Sequence, residues 1–169
     1  MHIIIAVITA IAGLLWALNS LQRSGFDLNS LNPFYWARRR QWEQKQVNPL
    51  YAIETPRELA AVLMFAVQRQ AGDPTQEQKE FLLALYRDEL KFSDKERNEM
   101  YQLASHLLST DPNYAHKVSE LIAPSRSSMS ESQRQSIPDL VSRVASHNNA
   151  PNSDQTKFVE SIERALIKH

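Results

Sequence analysis

Apolar positions follow two regimes along this chain. Residues 3–18 are almost continuously apolar, and the first formal charge is Arg23. Beyond residue 54, apolar residues instead recur three and four apart between polar ones, the spacing of one face of a helix. Leu59, Val62, Leu63, Ala66 and Val67 form one such stripe; Phe81, Leu82, Leu85 and Tyr86 a second; Met100, Leu103, Ala104 and Leu107 a third. Tyr114, Val118, Leu121 and Ile122 mark a shorter helix. Leu140, Val141 and Val144, then Phe158, Ile162, Ala165 and Leu166, mark the last two. Long alternating stretches are missing and only three glycines occur, so the chain reads as all-α.

Polar residues punctuate these stripes. Thr55-Pro56-Arg57-Glu58 has a cap, a proline at the first helical position and a capping box. Thr75 with Gln78, and Ser93 with Glu96, repeat the box. Asp111-Pro112 breaks the chain and Pro124 ends the short helix. Residues 125–130 read as a serine-rich loop, with Ser130 and Gln133 opening the next helical stretch. Pro138 predicts a break or kink near Ser136, since proline removes a donor and clashes with the preceding turn. Ser153 is the expected cap of the final helix. Residues 47–54, with Pro49, are either a free linker or a segment that packs Leu50 and Tyr51 onto the domain.

The continuous apolar stretch has the length for a membrane-spanning helix, which needs roughly 20 apolar residues at about 1.5 Å each. Trp16 lies near its C-terminal end, where an indole suits the interface. Two alternatives compete: a cleaved signal peptide and a buried core helix. The start carries no Lys or Arg and Ala17-Leu18-Asn19 is a poor cleavage site, which weighs against the first. An all-round apolar helix needs more cover than later residues supply, which weighs against the second. Arg23, Arg38, Arg39, Arg40 and Lys45 all follow the stretch. The positive-inside rule then puts the N-terminus outside and the C-terminal domain in the cytoplasm, which in a bacterium means the inner membrane.

Behind the anchor, Phe34, Tyr35, Trp36 and Trp42 interleave with Arg38, Arg39 and Arg40. Rings among headgroups and guanidiniums on phosphates suit a short helix at the lipid surface; an ordinary amphipathic helix packed on the domain is the alternative, and a patch for single-stranded nucleic acid, which stacking rings and Arg also suit, is a third and weaker one. The expected organisation is an anchor over 1–22, a basic and aromatic juxtamembrane segment over 23–53, and a helical domain over 54–169.

Net charge is zero, so no global field attracts nucleic acid, and none is expected as a partner. Cysteine is absent, which excludes disulfides, thiolate metal sites and cysteine nucleophiles. Asp88 and Glu89 are adjacent and point apart on a helix, so they are no catalytic pair. Phosphate loops and nucleophile elbows are lacking, and no enzyme class is supported. The one cofactor the pattern admits is a divalent metal. Asp73, Glu77 and Glu80 offer oxygen ligands near one another; an acidic first turn favoured by the helix dipole is the simpler account. His147, in an Asn-rich loop, reads as an exposed histidine.

The helix–loop–helix around residues 66–85 echoes that around 141–162. Aligning Arg69 with Arg143 matches Gln78 to Gln155, Phe81 to Phe158 and Leu85 to Ile162, with a longer second loop. Gln70-Ala71-Gly72-Asp73-Pro74-Thr75-Gln76-Glu77 resembles the acidic loop of TerB-like domains, a family that includes tellurite-resistance proteins. The resemblance implies an all-helical bundle of two loosely related halves, each with such a loop. A related domain in a membrane-bound DnaJ-like co-chaperone sits behind one N-terminal anchor, facing the cytoplasm. This chain has Gly72-Asp73 where the family usually has Asp-Gly, keeps only Asp154 in the second loop, and has no His-Pro-Asp tripeptide, hence no J domain. The expected function is that of a membrane-anchored interaction or regulatory module in envelope or stress physiology, touching lipid and binding a protein partner. A divalent-cation or metal-oxyanion sensor is the alternative.

Overall fold

Ten consecutive residues of one helix, from Leu59 to Gln68, are buried, and the other helices are arranged around them. The computed structural model describes residues 48–167. They form six α-helices: α1 Pro56–Arg69, α2 Gln76–Asp88, α3 Asp94–Ser109, α4 Val118–Ile122, α5 Glu131–Ala145 and α6 Ser153–Ile167. Three 3-10 turns accompany them, at Pro49–Ala52, Tyr114–His116 and Ala123–Ser128. Among the described residues there is no strand. None of their helices is long and apolar enough to cross a membrane. The expected anchor over 1–22, Trp16 included, and the interface residues Phe34, Tyr35, Trp36, Arg38, Arg39, Arg40 and Trp42 lie outside the described residues.

The periodicity of α1 predicts a stripe, yet its whole circumference is covered. Its run of Leu, Ala, Val, Met and Phe is apolar on every side, and such a helix is stable only at the centre of a fold. α5 and α3 pack most extensively on it, and α2 and α6 complete the cover. Ala60, Ala61 and Ala66 allow close approach, while Phe65 meets the edge of Tyr101 at 4.8 Å between ring centres. Tyr86 is fully buried and donates its hydroxyl to the Ala61 carbonyl at 2.6 Å.

Capping boxes set most of the helix starts. Thr75 with Gln78 and Ser93 with Glu96 form the reciprocal pairs expected of them, and Ser130 with Gln133, expected only to open its helix, forms one too. Two starts differ from expectation. Thr55 makes no side-chain cap hydrogen bond; its carbonyl accepts the Glu58 and Leu59 N–H groups, and Pro56 fixes the first turn. The last helix is capped by Asn152 rather than Ser153. Asn152 Oδ1 accepts from the Gln155 N–H at 2.8 Å, and Gln155 Oε1 accepts from the Asn152 N–H at 3.0 Å.

Pro138 does not interrupt α5, which runs through it as one helix. Ile137, Pro138, Leu140, Val141, Val144 and Ala145 are all buried, and packing along that face outweighs the missing donor. Residues 125–128, expected as loop, belong to a 3-10 turn that ties down the start of the domain. The buried Ser125 hydroxyl donates to the Ile53 carbonyl, and Ser128 Oγ to the Glu54 carbonyl at 2.8 Å.

Of the two alternatives for residues 47–54, packing holds for the described part. Leu50 is fully buried and Ile53 nearly so. Asn48 Oδ1 accepts from Thr110 Oγ1 at 2.9 Å. Asp111 Oδ2 accepts from the Tyr51 hydroxyl at 2.7 Å and from Lys117 Nζ at 2.8 Å.

Candidate functional site

Every helix N-terminus and turn brings polar groups to the surface, so a site must be sought where apolar surface also remains open. Among the described residues one such place is a groove of about 410 Å³ formed by the first turn of α1, the end of α2 and the outer flank of α5. Its floor is Pro56, Ala60, Leu90, Ile137 and Leu140. Helical spacing explains the α5 wall: Gln133, Ser136, Ile137, Leu140 and Arg143 recur three and four apart, on the edge of the helix next to its core face.

The rim is charged. Arg143 Nη1 donates to Glu89 Oε1 at 2.7 Å, joining α5 to the end of α2. Both side chains are about half exposed, so solvent screens the pair and its contribution to stability is small. Arg57 lies over the Phe92 ring at 4.2 Å and 3.7 Å from Glu96. Asp139 stands exposed on α5. An apolar floor with charged walls can seat an apolar side chain and orient what carries it. The walls hold no histidine, tyrosine or cysteine.

The acidic residues singled out by the loop pattern are placed differently. Asp73 lies in the exposed turn after α1, and Glu77 and Glu80 on the exposed face of the first turns of α2. Glu80 Oε1 accepts from Gln76 Nε2 at 2.9 Å. Among the described residues no group of three or more His, Asp or Glu converges so as to hold a metal ion. Gly72 takes φ of +109°, a conformation that L side chains rarely adopt, and so lets the chain turn from α1 toward α2.

His147 is not the exposed histidine that its Asn-rich surroundings predict. It is half-buried, its ring stacked on Phe81 at 3.7 Å between centres and 1° from parallel, with Nε2 shielded and without a hydrogen-bond partner. This contact joins the loop after α5 to α2. A strongly perturbed carboxylate lies elsewhere, at Asp111. Hydrogen bonds from Lys117, from the Tyr51 hydroxyl and from the Asn113 N–H lower its carboxyl to about 2. Burial, together with the Asp111 carboxylate, pushes the Tyr51 phenol upward. This triad fastens the Pro49–Ala52 turn to the turn before α4, which is a structural task.

The groove residues escape sequence inspection because they come from three separated segments. Ile137 and Leu140 read as core and Arg57, Glu89 and Arg143 as solvated surface; nothing in their spacing brings Leu90 beside Ile137. Comparison with protein-family models, with curated proteins and with solved structures finds no match to this chain.

Proposed function

We propose that this chain is a membrane-anchored helical interaction or regulatory module of TerB-like type. In this view residues 1–22 hold it in a bacterial inner membrane, the helical domain faces the cytoplasm, and its task belongs to envelope or stress physiology. The observation that carries the docking part is the groove of α1, α2 and α5, an open apolar floor inside a charged rim. Helix-in-groove recognition uses this combination: apolar anchors enter the floor while rim charges set orientation. Anchoring raises local concentration near membrane partners, so modest intrinsic affinity suffices.

Two equivalent helix starts support the reading as two related halves. Thr75 with Gln78 begins α2, and Asn152 with Gln155 begins α6, each in a reciprocal capping pair. Each start is also tied to α1, in opposite senses: Gln68 Nε2 of α1 donates to the Gln78 carbonyl at 2.8 Å, and Gln155 Nε2 of α6 donates to the Val67 carbonyl at 3.2 Å.

The test places a photocrosslinking amino acid in the full-length chain at Ser136, on the groove wall, or at Lys95, on the exposed side of α3, and irradiates living cells. A protein adduct formed from Ser136 and not from Lys95 supports docking in the groove. Identical adducts from both positions, or lipid adducts alone, overturn it. Topology is checked separately with a reporter fused after His169. Activity of a reporter that works only in the periplasm would refute the orientation.

A further inference from the structure

We infer that the occupant of the groove is an amphipathic helix of a partner protein that carries a lysine or arginine beside its apolar anchor, opposite Asp139. The inference rests on the docking function proposed above and adds the chemistry of the partner.

Shape comes first. The α5 wall runs from Gln133 to Arg143, and at 1.5 Å per residue this is about 15 Å, or three helical turns. That length matches the contact made by one helix crossing another. Pro56, Ala60, Leu90, Ile137 and Leu140 supply the apolar lining along that wall.

Charge decides the rest. The rim carries Arg57, Glu89, Asp139 and Arg143, and the domain itself engages three of them. Arg57 is held over Phe92 and near Glu96, and Glu89 pairs with Arg143 at 2.7 Å. Asp139 and Arg143 are four apart on one helix, the spacing of an intrahelical ion pair. Arg143 nevertheless reaches across to Glu89, and Asp139 is left exposed without an ion pair among the described residues. Both cations of the groove are thus already matched, and the unmatched rim charge is a carboxylate beside an apolar floor. A basic residue flanking an apolar anchor is its complement, and an acidic one in that place would be repelled. Residues 48–167 also contain more Asp and Glu than Lys and Arg, so the longer-range field favours the same sign.

The experiment uses the full-length chain with the photocrosslinker at Ser136, alone and combined with Asp139→Asn or Asp139→Lys, and maps the crosslinked peptide by mass spectrometry. Asp139 is exposed, so both variants are expected to keep the circular dichroism of the parent. The expected peptide carries Lys or Arg three or four positions from an apolar residue. Adduct yield should fall modestly with Asp139→Asn and at least about fivefold with Asp139→Lys, as like charges are juxtaposed. Changing that partner base to Glu should restore the yield with Asp139→Lys. An adduct that persists unchanged in Asp139→Lys overturns the basic partner while leaving docking in place. An adduct to a second copy of this chain overturns it too. Loss of any Ser136-specific adduct removes both the inference and the docking site.

Discussion

Gln155 offers the sharpest test of how the two ends of the bundle are joined. The side chain is 6% exposed and has two tasks. Its Oε1 accepts from the Asn152 N–H, closing the capping pair of α6, while its Nε2 donates to the Val67 carbonyl near the end of α1. That carbonyl lies at the fraying end of α1, where its helical partner is only the long 3.3 Å bond from the Gln70 N–H and the Ala71 N–H bonds to Gln68 instead. Gln155→Ala removes both contacts. Loss of the cap contact costs about 1 kcal/mol, and loss of the bond to the Val67 carbonyl, which keeps the Gln70 N–H, about 0.5–1.5 kcal/mol. The expected total is about 1.5–2.5 kcal/mol. For a domain of this size each kcal/mol lowers Tm by about 4 °C, so Tm should fall by about 6–10 °C. Thermal unfolding followed by circular dichroism at 222 nm measures it. Gln155→Glu separates the two tasks. Its carboxylate keeps the cap but opposes the Val67 carbonyl, whereas the protonated acid can donate to that carbonyl. The folded pKa of the new acid is therefore raised, and its penalty is largest at neutral pH and shrinks as pH falls through that pKa. A Gln155→Ala loss below about 0.5 kcal/mol, or a Gln155→Glu penalty that is the same at pH 4 and pH 7, would refute the joint role.

Two further outcomes follow from the geometry. Asp111 titrates near 2 in the fold and near 3.8 when free, so its stabilising effect is complete above the higher value and disappears as pH falls toward the lower. Urea unfolding midpoints should therefore decline between pH 4 and pH 2, and an Asp111→Asn variant should lose that part of the decline while being weaker at pH 7. Gly72→Ala meets no atom within 4 Å of the added carbon, yet must hold φ of +109°. It should cost about 1 kcal/mol through backbone strain alone, measurable by the same melts, and a neutral effect would show that the turn relaxes.

Much of the fold was legible because local rules acted alone. Two of the three capping boxes predicted from Thr, Ser, Gln and Glu spacing form, and Ser130 with Gln133, expected to open a helix, closes one as well, since each needs only four consecutive residues. The stripes at Leu82, Leu85 and Tyr86 and at Met100, Leu103, Ala104 and Leu107 are buried as their spacing requires. Expectations failed where a distant segment intervened. Pro138 would break an isolated helix, but burial of its neighbours keeps α5 whole. His147 looked exposed until α2 placed Phe81 against its ring. Ser125 looked like loop, yet it is buried where its hydroxyl reaches the Ile53 carbonyl.

The sequence by itself determined that residues beyond 54 form helices, roughly where they start, and which faces are apolar, because propensity, capping and periodicity are properties of neighbours along the chain. Tertiary structure alone decided that α1 is central, that Leu50 and Ile53 belong to the core, and that Ala60, Leu90 and Ile137 share a groove. It also decided that Arg143 turns to Glu89 and leaves Asp139 unpaired. These depend on which segments meet in space, and residues from three helices carry no mark of that meeting in their own local pattern.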